Sequence, residues 1–175
     1  MNLYTRHILT IVSAFALNVG MLQAQGRGLF LSRHFSASEY NGATQNWCAV
    51  QDSRGVMYFA NGQGVLEYDG ASWNLIRVDN ESAIRSLAAD TNGRIYVGAF
   101  GEMGFLCPNR FGQLQYQSLM SLVDKKHTKF SQIWNIYTFG DTVFFLSDSC
   151  LYRYCNGRFN YWTSKNGCFY YAFKL

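Results

Sequence analysis

The sequence predicts an all-β fold made of about three tandem four-stranded sheets, and three observations lead to this prediction. Aromatic residues make up 17% of the 175 residues and glycine occurs 16 times, whereas charged residues reach only 15%. Exposed helix faces are usually rich in lysine and glutamate, and this chain has only 5 lysines and 4 glutamates. Short apolar runs are separated by turns rich in glycine, asparagine and aspartate. A segment of about forty residues also recurs in tandem.

The repeat is clearest in its first two copies, which align without a gap at an offset of 38 residues. The shared residues form an Asp-x-x-Gly-x-x-Tyr segment, which is Asp52, Gly55, Tyr58 in the first copy and Asp90, Gly93, Tyr96 in the second. A third copy begins at Trp134, and its turn is one residue shorter, Phe139-Gly-Asp141. The three copies therefore predict three structural units of one kind.

Each copy begins with an apolar strand that starts at Trp47, Arg85 or Trp134 and leads into a tight turn. In the first two copies the turn residues are Asp52, Gly55, Asp90 and Gly93. An aspartate side chain can accept hydrogen bonds from the backbone two residues on, and glycine tolerates a positive φ at the end of the turn. These four residues are therefore predicted to have a structural role.

Three more strands complete each copy. The second strand is predicted at Val56–Ala60, Arg94–Gly98 and Val143–Leu146, and the third at Val65–Tyr68, Phe105–Cys107 and Leu151–Tyr154. A further turn follows the third strand, with Asp69 and Gly70 as its predicted turn residues in the first copy. The short fourth strand is predicted near Trp73–Ile76, Gln113–Gln117 and Phe159–Trp162.

Four short antiparallel strands per copy, repeated in tandem, are typical of β-propeller blades. The predicted strands have apolar residues on both faces, which also favours blades, because a blade packs against a neighbour on each side. A β-sandwich has hairpins at similar spacing, but it does not need Asp-x-x-Gly turns in register. We therefore predict about three four-stranded blades of an incomplete propeller. Their predicted bounds are 45–82, 83–120 and 130–165, with a connector at 121–129, a lead-in segment at 25–44 and the start of a further, truncated blade at 166–175.

Residues 1–24 are predicted to be a cleaved signal peptide. Arg6 supplies a short positive region, an apolar stretch follows, and Ala24 ends the segment at a small-residue cleavage position. The alternative is an uncleaved membrane anchor, but the apolar stretch is shorter than the roughly 20 residues that a spanning helix needs. The mature chain is therefore expected to be exported to the periplasm, without membrane contact after cleavage.

The remaining composition excludes several kinds of site. The formal charge is only +4 and no basic run exceeds Lys125–Lys126, so no nucleic-acid partner is expected. The five cysteines are odd in number and irregularly spaced, unlike a disulfide framework, and no metal or cofactor is expected. The aspartates Asp52, Asp69 and Asp90 occupy turn positions where backbone hydrogen bonding explains them. The sequence therefore does not predict an enzyme.

Residues 45 to about 165 resemble the two-component regulator propeller repeat. The first copy carries this resemblance most fully. From Trp47 to Gly70 it has an initial tryptophan, the Asp-x-x-Gly turn, an aromatic pair, a glycine-rich turn and a final Gly-Val-x-x-Tyr-Asp-Gly. The second copy replaces the final Tyr-Asp-Gly by Cys107-Pro-Asn, and the third lacks the Asp-x-x-Gly turn. All three copies agree in order and spacing.

The resemblance implies a seven-bladed periplasmic propeller that senses a ligand for a regulator anchored in the inner membrane, with a kinase or helix-turn-helix output domain. This chain contains about three blades, so we expect it to be an N-terminal fragment of such a sensor. Three blades cannot close a ring. The remaining blades of the same parent chain, or self-association, are therefore expected to cover the open face.

Trp47, Arg85 and Trp134 occupy one position in the three copies, at the start of the innermost strand. In a propeller this position lies near the mouth of the central channel, so these residues are the candidate ligand-binding residues. Aromatic faces and a guanidinium suit a carbohydrate or another small polar nutrient. The alternative is that they pack between blades as core. A second hypothesis for the whole chain is an exported stand-alone propeller, acting as a protein-interaction module or as part of a polysaccharide-processing enzyme.

Overall fold

The computed structural model describes residues 32–164 and 167–169. The described chain is one short helix followed by twelve strands, in the order α1 Ala37–Tyr40, β1 Asn46–Gln51, β2 Met57–Asn61, β3 Gly64–Tyr68, β4 Trp73–Ile76, β5 Ile84–Ala89, β6 Ile95–Ala99, β7 Met103–Pro108, β8 Leu114–Ser118, β9 Ile133–Phe139, β10 Thr142–Ser147, β11 Cys150–Cys155 and β12 Arg158–Thr163. The predicted signal peptide, and residues 170–175 of the predicted further blade, lie outside the described residues.

The twelve strands form three antiparallel four-stranded sheets, and each sheet keeps its strands in chain order. The innermost strand of the middle sheet, β5, packs against both β1 and β9, the innermost strands of the sheets on either side. Successive sheets thus stand face to face around their first strands, which is the arrangement of propeller blades. The predicted all-β fold class is confirmed.

Two apolar cores lie between the blades. The core between blades one and two includes Tyr58, Val65, Ile84 and Val97, all 2% exposed or less. The core between blades two and three is lined by Met103, Ile133, Val143, Phe145 and Tyr152, which are equally buried. The middle blade contributes to both cores, so its second strand β6 is buried along its whole length. This explains why the sequence of that strand shows no alternation of apolar and polar residues.

Residues 35–44, the last part of the lead-in segment, pack against blade one. Phe35 lies edge-on to Trp73 with ring centroids 5.1 Å apart, and Tyr40 contacts the same indole at 5.4 Å. Glu39 accepts a hydrogen bond from the Ser36 backbone N–H at 2.7 Å, as in a capping box, and so starts helix α1. The sequence predicted no structure for this segment. Its aromatic residues find partners only because the turn of blade one brings Tyr68 and Trp73 together.

The connector between blades two and three is more ordered than its polar sequence indicates. It contains two 3-10 turns, Met120–Leu122 and Lys125–His127. Val123, between them, is only 7% exposed and joins the core between blades two and three. The His127 carbonyl accepts a hydrogen bond of 2.8 Å from the Tyr152 hydroxyl. The connector therefore closes the outer edge of this core.

Candidate functional site

Each blade carries a β-bulge at the same place, the start of its innermost strand. In each case two residues of the inner strand stand opposite one residue of the second strand. The shifted stretch lies between Asn46 and Ala49 in blade one, between Ile84 and Ser86 in blade two, and between Ile133 and Asn135 in blade three. These stretches contain Trp47, Arg85 and Trp134, the three candidate ligand-binding residues.

The bulges distinguish the two ends of the sheets, because only the end where the inner strands begin carries them. The end where β1, β5 and β9 begin is called the bulge rim here, and the opposite end, with the turns after these strands, the Asp-turn rim. A bulge bends its strand and redirects a side chain, and bulges are enriched next to functional sites. The three bulges in equivalent positions therefore redirect three equivalent side chains at one rim.

Two of the three candidate residues are in direct contact. The Arg85 guanidinium carbon lies 3.7 Å from the centroid of the Trp47 ring, which is a close cation–π contact. Within the described residues, the structure records no stacking of Trp134 on either of them. Trp134 instead stands on the next inner strand, β9, at the position that the repeat makes equivalent.

Both tryptophans are open to solvent. Trp47 is 43% exposed and Trp134 is 44% exposed, so neither side chain is packed as core between blades. Arg85 differs, because its Nε and Nη1 atoms are buried and have no hydrogen-bond partner in the described structure. A guanidinium with unused donors beside an exposed indole is an arrangement that can receive a polar ligand with an apolar face.

Three further residues of the bulge rim were not found by sequence reasoning. Phe100, which is 53% exposed, follows β6 and forms an isolated antiparallel bridge with Gln132, the residue before β9. The Gln132 Oε1 and Asp148 Oδ1 atoms are buried without a hydrogen-bond partner in the described structure. Gln132 has a counterpart in the first copy, because Gln45 also stands two residues before the bulged tryptophan, whereas Phe100 and Asp148 have no such counterpart. The approach of Phe100 to Gln132 depends on the bridge between two blades, for which the sequence has no local signal.

The predicted turn residues lie at the Asp-turn rim. The Asp52 carboxylate accepts hydrogen bonds from the backbone N–H groups of Arg54 at 2.9 Å and Val56 at 3.1 Å, while Gly55 has a φ of +86°. Asp90 does the same for Asn92 and Arg94, with Gly93 at +80°. Asp69 accepts from Ala71 and Ser72, next to Gly70 at +98°. These aspartates are occupied by the backbone of their own turns.

Asp52 has the densest contacts of these turn residues. Its carboxylate also accepts hydrogen bonds from the Arg54 guanidinium at 2.7 and 2.9 Å and from the Tyr58 hydroxyl at 3.3 Å. Burial by itself raises the pKa of Asp52, but the hydrogen bonds from Arg54 and from the turn amides outweigh it, so the pKa lies below its ordinary value. Burial raises the pKa of Tyr58 to about 12.

The lowered pKa of Asp52 predicts how stability depends on pH. A carboxyl group with a lowered pKa in the folded state stabilises the fold above its unfolded pKa of about 3.9, and this contribution is lost as the pH falls through the folded pKa. We expect Asp52→Asn to lower the free energy of unfolding near neutral pH, and the difference from wild type to shrink as the pH falls below the unfolded pKa and through the lower folded pKa. Urea unfolding across this pH range measures it. The exposed Asp141→Asn is the matched control, and an equal pH dependence in both variants would contradict the assignment.

A cleft of about 620 Å³ opens at the Asp-turn rim between blades one and two. Its polar lining includes Asp52, Arg54, Glu67 and Arg94. Arg54 is paired with Asp52, and the Arg94 guanidinium lies over the Phe105 ring at 4.7 Å. The two arginines of this cleft are thus engaged with the protein, whereas Arg85 and Asp148 of the bulge rim keep buried polar atoms without a hydrogen-bond partner in the described structure.

Neither a disulfide nor a cluster of metal-ligating side chains is found at the two rims in the described part of the chain. The five cysteines are unpaired, and burial raises the pKa of the Cys48 and Cys150 thiols, which disfavours the reactive thiolate. Among the described residues, no three His, Cys, Asp or Glu side chains lie close enough together to hold a metal ion. In the same part of the chain, no helix is long and apolar enough to span a membrane.

Two solved structures of one protein from B. thetaiotaomicron share this fold. The first is described as the extracellular domain of a hybrid two-component system, with 18% sequence identity over 76% of this chain and a TM-score of 0.55. The second is described as the extracellular domain of a one-component system, with 20% identity over 69% of this chain and a TM-score of 0.51. At these identities the likeness establishes the fold, and it agrees with the resemblance to the two-component regulator propeller repeat.

The chain spans only 17% and 16% of the lengths of these two structures. No protein-family model and no curated protein matches this chain. The bulge rim therefore has to be interpreted from its own geometry. That geometry combines exposed tryptophans on blades one and three with unpartnered polar atoms on blades two and three.

Proposed function

We propose that this chain is part of the extracytoplasmic ligand-sensing propeller of a membrane-spanning two-component or transcriptional regulator. The observation that carries the proposal is the bulge in each blade, which gives one rim two exposed tryptophans and a guanidinium with unused donors. The proposed ligand is a glycan or another small polar nutrient. The proposed activity is binding, without catalysis.

The fold and the sequence support this proposal independently. The blades resemble those of solved extracellular domains of a two-component or one-component regulator. The repeat of residues 45–165 resembles the propeller repeat of the same class of regulator. The predicted signal peptide of residues 1–24 would place the blades outside the cytoplasm, in the periplasm.

The chemistry of the bulge rim suits a sugar. The faces of Trp47 and Trp134 can pack against the apolar C–H face of a pyranose ring, because aromatic side chains offer large rigid contact areas. The guanidinium of Arg85 has only donors, which match the acceptor lone pairs of sugar hydroxyl groups. An apolar platform with a few convergent polar groups is the usual composition of a small-molecule site.

Replacing Trp134 by alanine tests this assignment. We expect Trp134→Ala to weaken binding of the recognised glycan about tenfold or more, because truncating a central aromatic residue typically removes a large share of the binding energy. Titration calorimetry of the whole chain with oligosaccharides measures the affinity. Stability should change little, since the Trp134 side chain is largely exposed.

Phe111→Ala is the matched control for this experiment. Phe111 is 72% exposed and lies at the Asp-turn rim, in the turn between β7 and β8. We expect its truncation to leave glycan binding unchanged. If Phe111→Ala and Trp134→Ala weaken binding equally, or if neither does, then the bulge rim is not the binding site.

The outward face of blade three carries exposed apolar side chains, which favours packing against another surface. Trp162 on β12 and Phe139 on β9 are 49% and 43% exposed, and they alternate with residues that point into the core between blades two and three. Apolar faces of this kind normally meet another surface. We propose that further blades of the same parent chain, or a second copy of this chain, pack on this face.

A further inference from the structure

The unpartnered polar atoms of the described structure are concentrated at one rim. Five buried side-chain nitrogen or oxygen atoms lack a hydrogen-bond partner there: Trp73 Nε1, Arg85 Nε, Arg85 Nη1, Gln132 Oε1 and Asp148 Oδ1. All except the Trp73 atom belong to residues of the bulge rim, on blades two and three. Leaving a buried polar group unpaired costs about 1–3 kcal/mol, so such groups are rare without a function or a bound partner.

Gln132 and Asp148 are neighbours in blade three. Ile133 pairs with Ser147 in the ladder between β9 and β10, and Gln132 and Asp148 are the next residues outward on either side of this pair. Residues opposite each other in an antiparallel ladder have Cβ atoms about 4.5–5.5 Å apart. The two unpartnered acceptors therefore stand at the same end of one strand pair.

The same ladder places these acceptors beside an exposed indole. Trp134 directly follows Ile133 and is the bulged residue of β9. On the other side, Gln132 forms its bridge with the exposed Phe100 of blade two. Two acceptors are thus flanked by an exposed aromatic side chain on each side, which is an amphipathic subsite.

We propose that Gln132 and Asp148 form, with Trp134, a specificity subsite that reads the hydroxyl groups of an uncharged sugar. This inference rests on the proposed function and adds to it the class of sugar. Unpartnered acceptors require donors, and hydroxyl groups of a neutral sugar can donate. The ionised carboxylate of a uronic acid only accepts hydrogen bonds, so it cannot supply the donors that Gln132 Oε1 and Asp148 Oδ1 lack.

The second carboxylate at the bulge rim, that of Glu102, differs from Asp148 because its Oε1 atom already has donors within the protein. Glu102, only 7% exposed, lies at the start of β7. Its Oε1 accepts hydrogen bonds from the Met103 backbone N–H at 3.0 Å, the Tyr116 hydroxyl at 3.0 Å and the Ser118 hydroxyl at 2.8 Å. Glu102 is therefore held by the protein, whereas the Oδ1 atom of Asp148 is buried without any donor in the described structure.

The test compares matched neutral and acidic sugars on the whole chain. The probes are oligosaccharides of glucose, galactose, xylose and arabinose, and of galacturonic and glucuronic acid. We expect a neutral probe to bind, and we expect Asp148→Asn and Gln132→Ala each to weaken its binding about tenfold or more. The first variant replaces a charged acceptor by a weaker neutral one, and the second removes the acceptor. Asp141→Asn, an exposed carboxylate at the Asp-turn rim of the same blade, should bind as wild type.

A thermal unfolding measurement separates recognition from a structural role. Because Asp148 Oδ1 has no partner in the described structure, Asp148→Asn should leave the unfolding temperature unchanged while affinity falls. Tighter binding of an acidic probe than of any neutral one would overturn the inference. So would unchanged affinity in Asp148→Asn and Gln132→Ala, or an affinity loss that merely follows a loss of stability.

The outcomes also distinguish this inference from the proposed function. If an acidic probe binds and Trp134→Ala abolishes its binding, the bulge rim remains the sensing site and only the neutral-sugar subsite is wrong. If neutral sugars bind equally well to wild type and to Trp134→Ala, the assignment of the bulge rim fails as well. If no probe of either class binds, both the subsite and the glycan ligand are rejected.

Discussion

Gly98→Ala is expected to lower the free energy of unfolding by about 2–3 kcal/mol, at the upper end of the usual cost of overpacking a core. Gly98 lies in β6, where the middle blade faces blade three. A Cβ atom there would stand 2.6 Å from Ile133 Cγ2 and 2.7 Å from Ile133 Cβ, and it would also overlap the Ser86 hydroxyl. Ile133 cannot move away easily, because it is fully buried.

The same contact joins two blades by a hydrogen bond. The Ser86 hydroxyl donates to the Ile133 carbonyl at 2.7 Å, across the boundary between blades two and three. A methyl group at residue 98 would push the Ser86 hydroxyl away from this carbonyl and weaken the hydrogen bond between them. Gly98→Ala should therefore loosen the contact between these blades as well as their core.

Urea unfolding of Gly98→Ala measures this effect, and Gly167→Ala is its control. A Cβ at residue 167 meets nothing closer than the Ser164 hydroxyl at 3.7 Å, so that variant should match wild type. Equal stability of Gly98→Ala and wild type would mean that the two blades do not approach as closely as described.

Asn61→Ala is expected to lower the free energy of unfolding by about 2–4 kcal/mol, because it leaves several buried backbone groups without partners. Asn61 is fully buried at the end of β2. Its Oδ1 accepts hydrogen bonds from the backbone N–H groups of Ala43 at 2.9 Å and Gln63 at 3.0 Å. Its Nδ2 donates to the carbonyls of Ala43 at 2.7 Å and Gln45 at 3.2 Å.

These bonds tie the end of the lead-in segment, at Ala43, to blade one. Without them the segment that carries Tyr40 should detach more readily, and the indole of Trp73 should become more exposed. Tryptophan fluorescence and backbone hydrogen exchange of residues 42–46 report this opening, and chemical unfolding reports the energy. Asn74→Ala is the matched control, because Asn74 is exposed and should cost less than about 0.5 kcal/mol. Protection of residues 42–46 in Asn61→Ala equal to that in wild type would refute the anchoring role.

The strands were predictable because their signals are local. Each predicted second, third and fourth strand overlaps the strand found, and the fourth strand of blade one has the predicted bounds Trp73–Ile76. The shorter turn of the third copy is also found, since Phe139 pairs directly with Thr142 across it. A turn needs only its own side chains and a glycine or asparagine of suitable φ, so a few adjacent residues specify it.

The candidate site was predictable only in part. The repeat placed Trp47, Arg85 and Trp134 in equivalent positions, and in the structure each lies in the bulge at the start of its inner strand. The contact of Arg85 with Trp47 depends on how two blades are juxtaposed. Gln132 and Asp148 were not found, because only the lack of a hydrogen-bond partner in the folded structure makes them notable, although Gln45 of the first copy is the counterpart of Gln132 in the repeat.

The sequence by itself determined the unit of this fold, a four-stranded blade repeated three times, since periodic burial and turn chemistry act over a few residues. The tertiary structure alone decided three other features: the bulge at the start of each inner strand, the docking of the lead-in segment on blade one, and the grouping of Arg85, Gln132 and Asp148 at one rim. Each bulge depends on how two consecutive strands pair, and the other two features depend on contacts between different parts of the chain. Such contacts form only when whole sheets pack, because their energy comes from surfaces that no single segment contains.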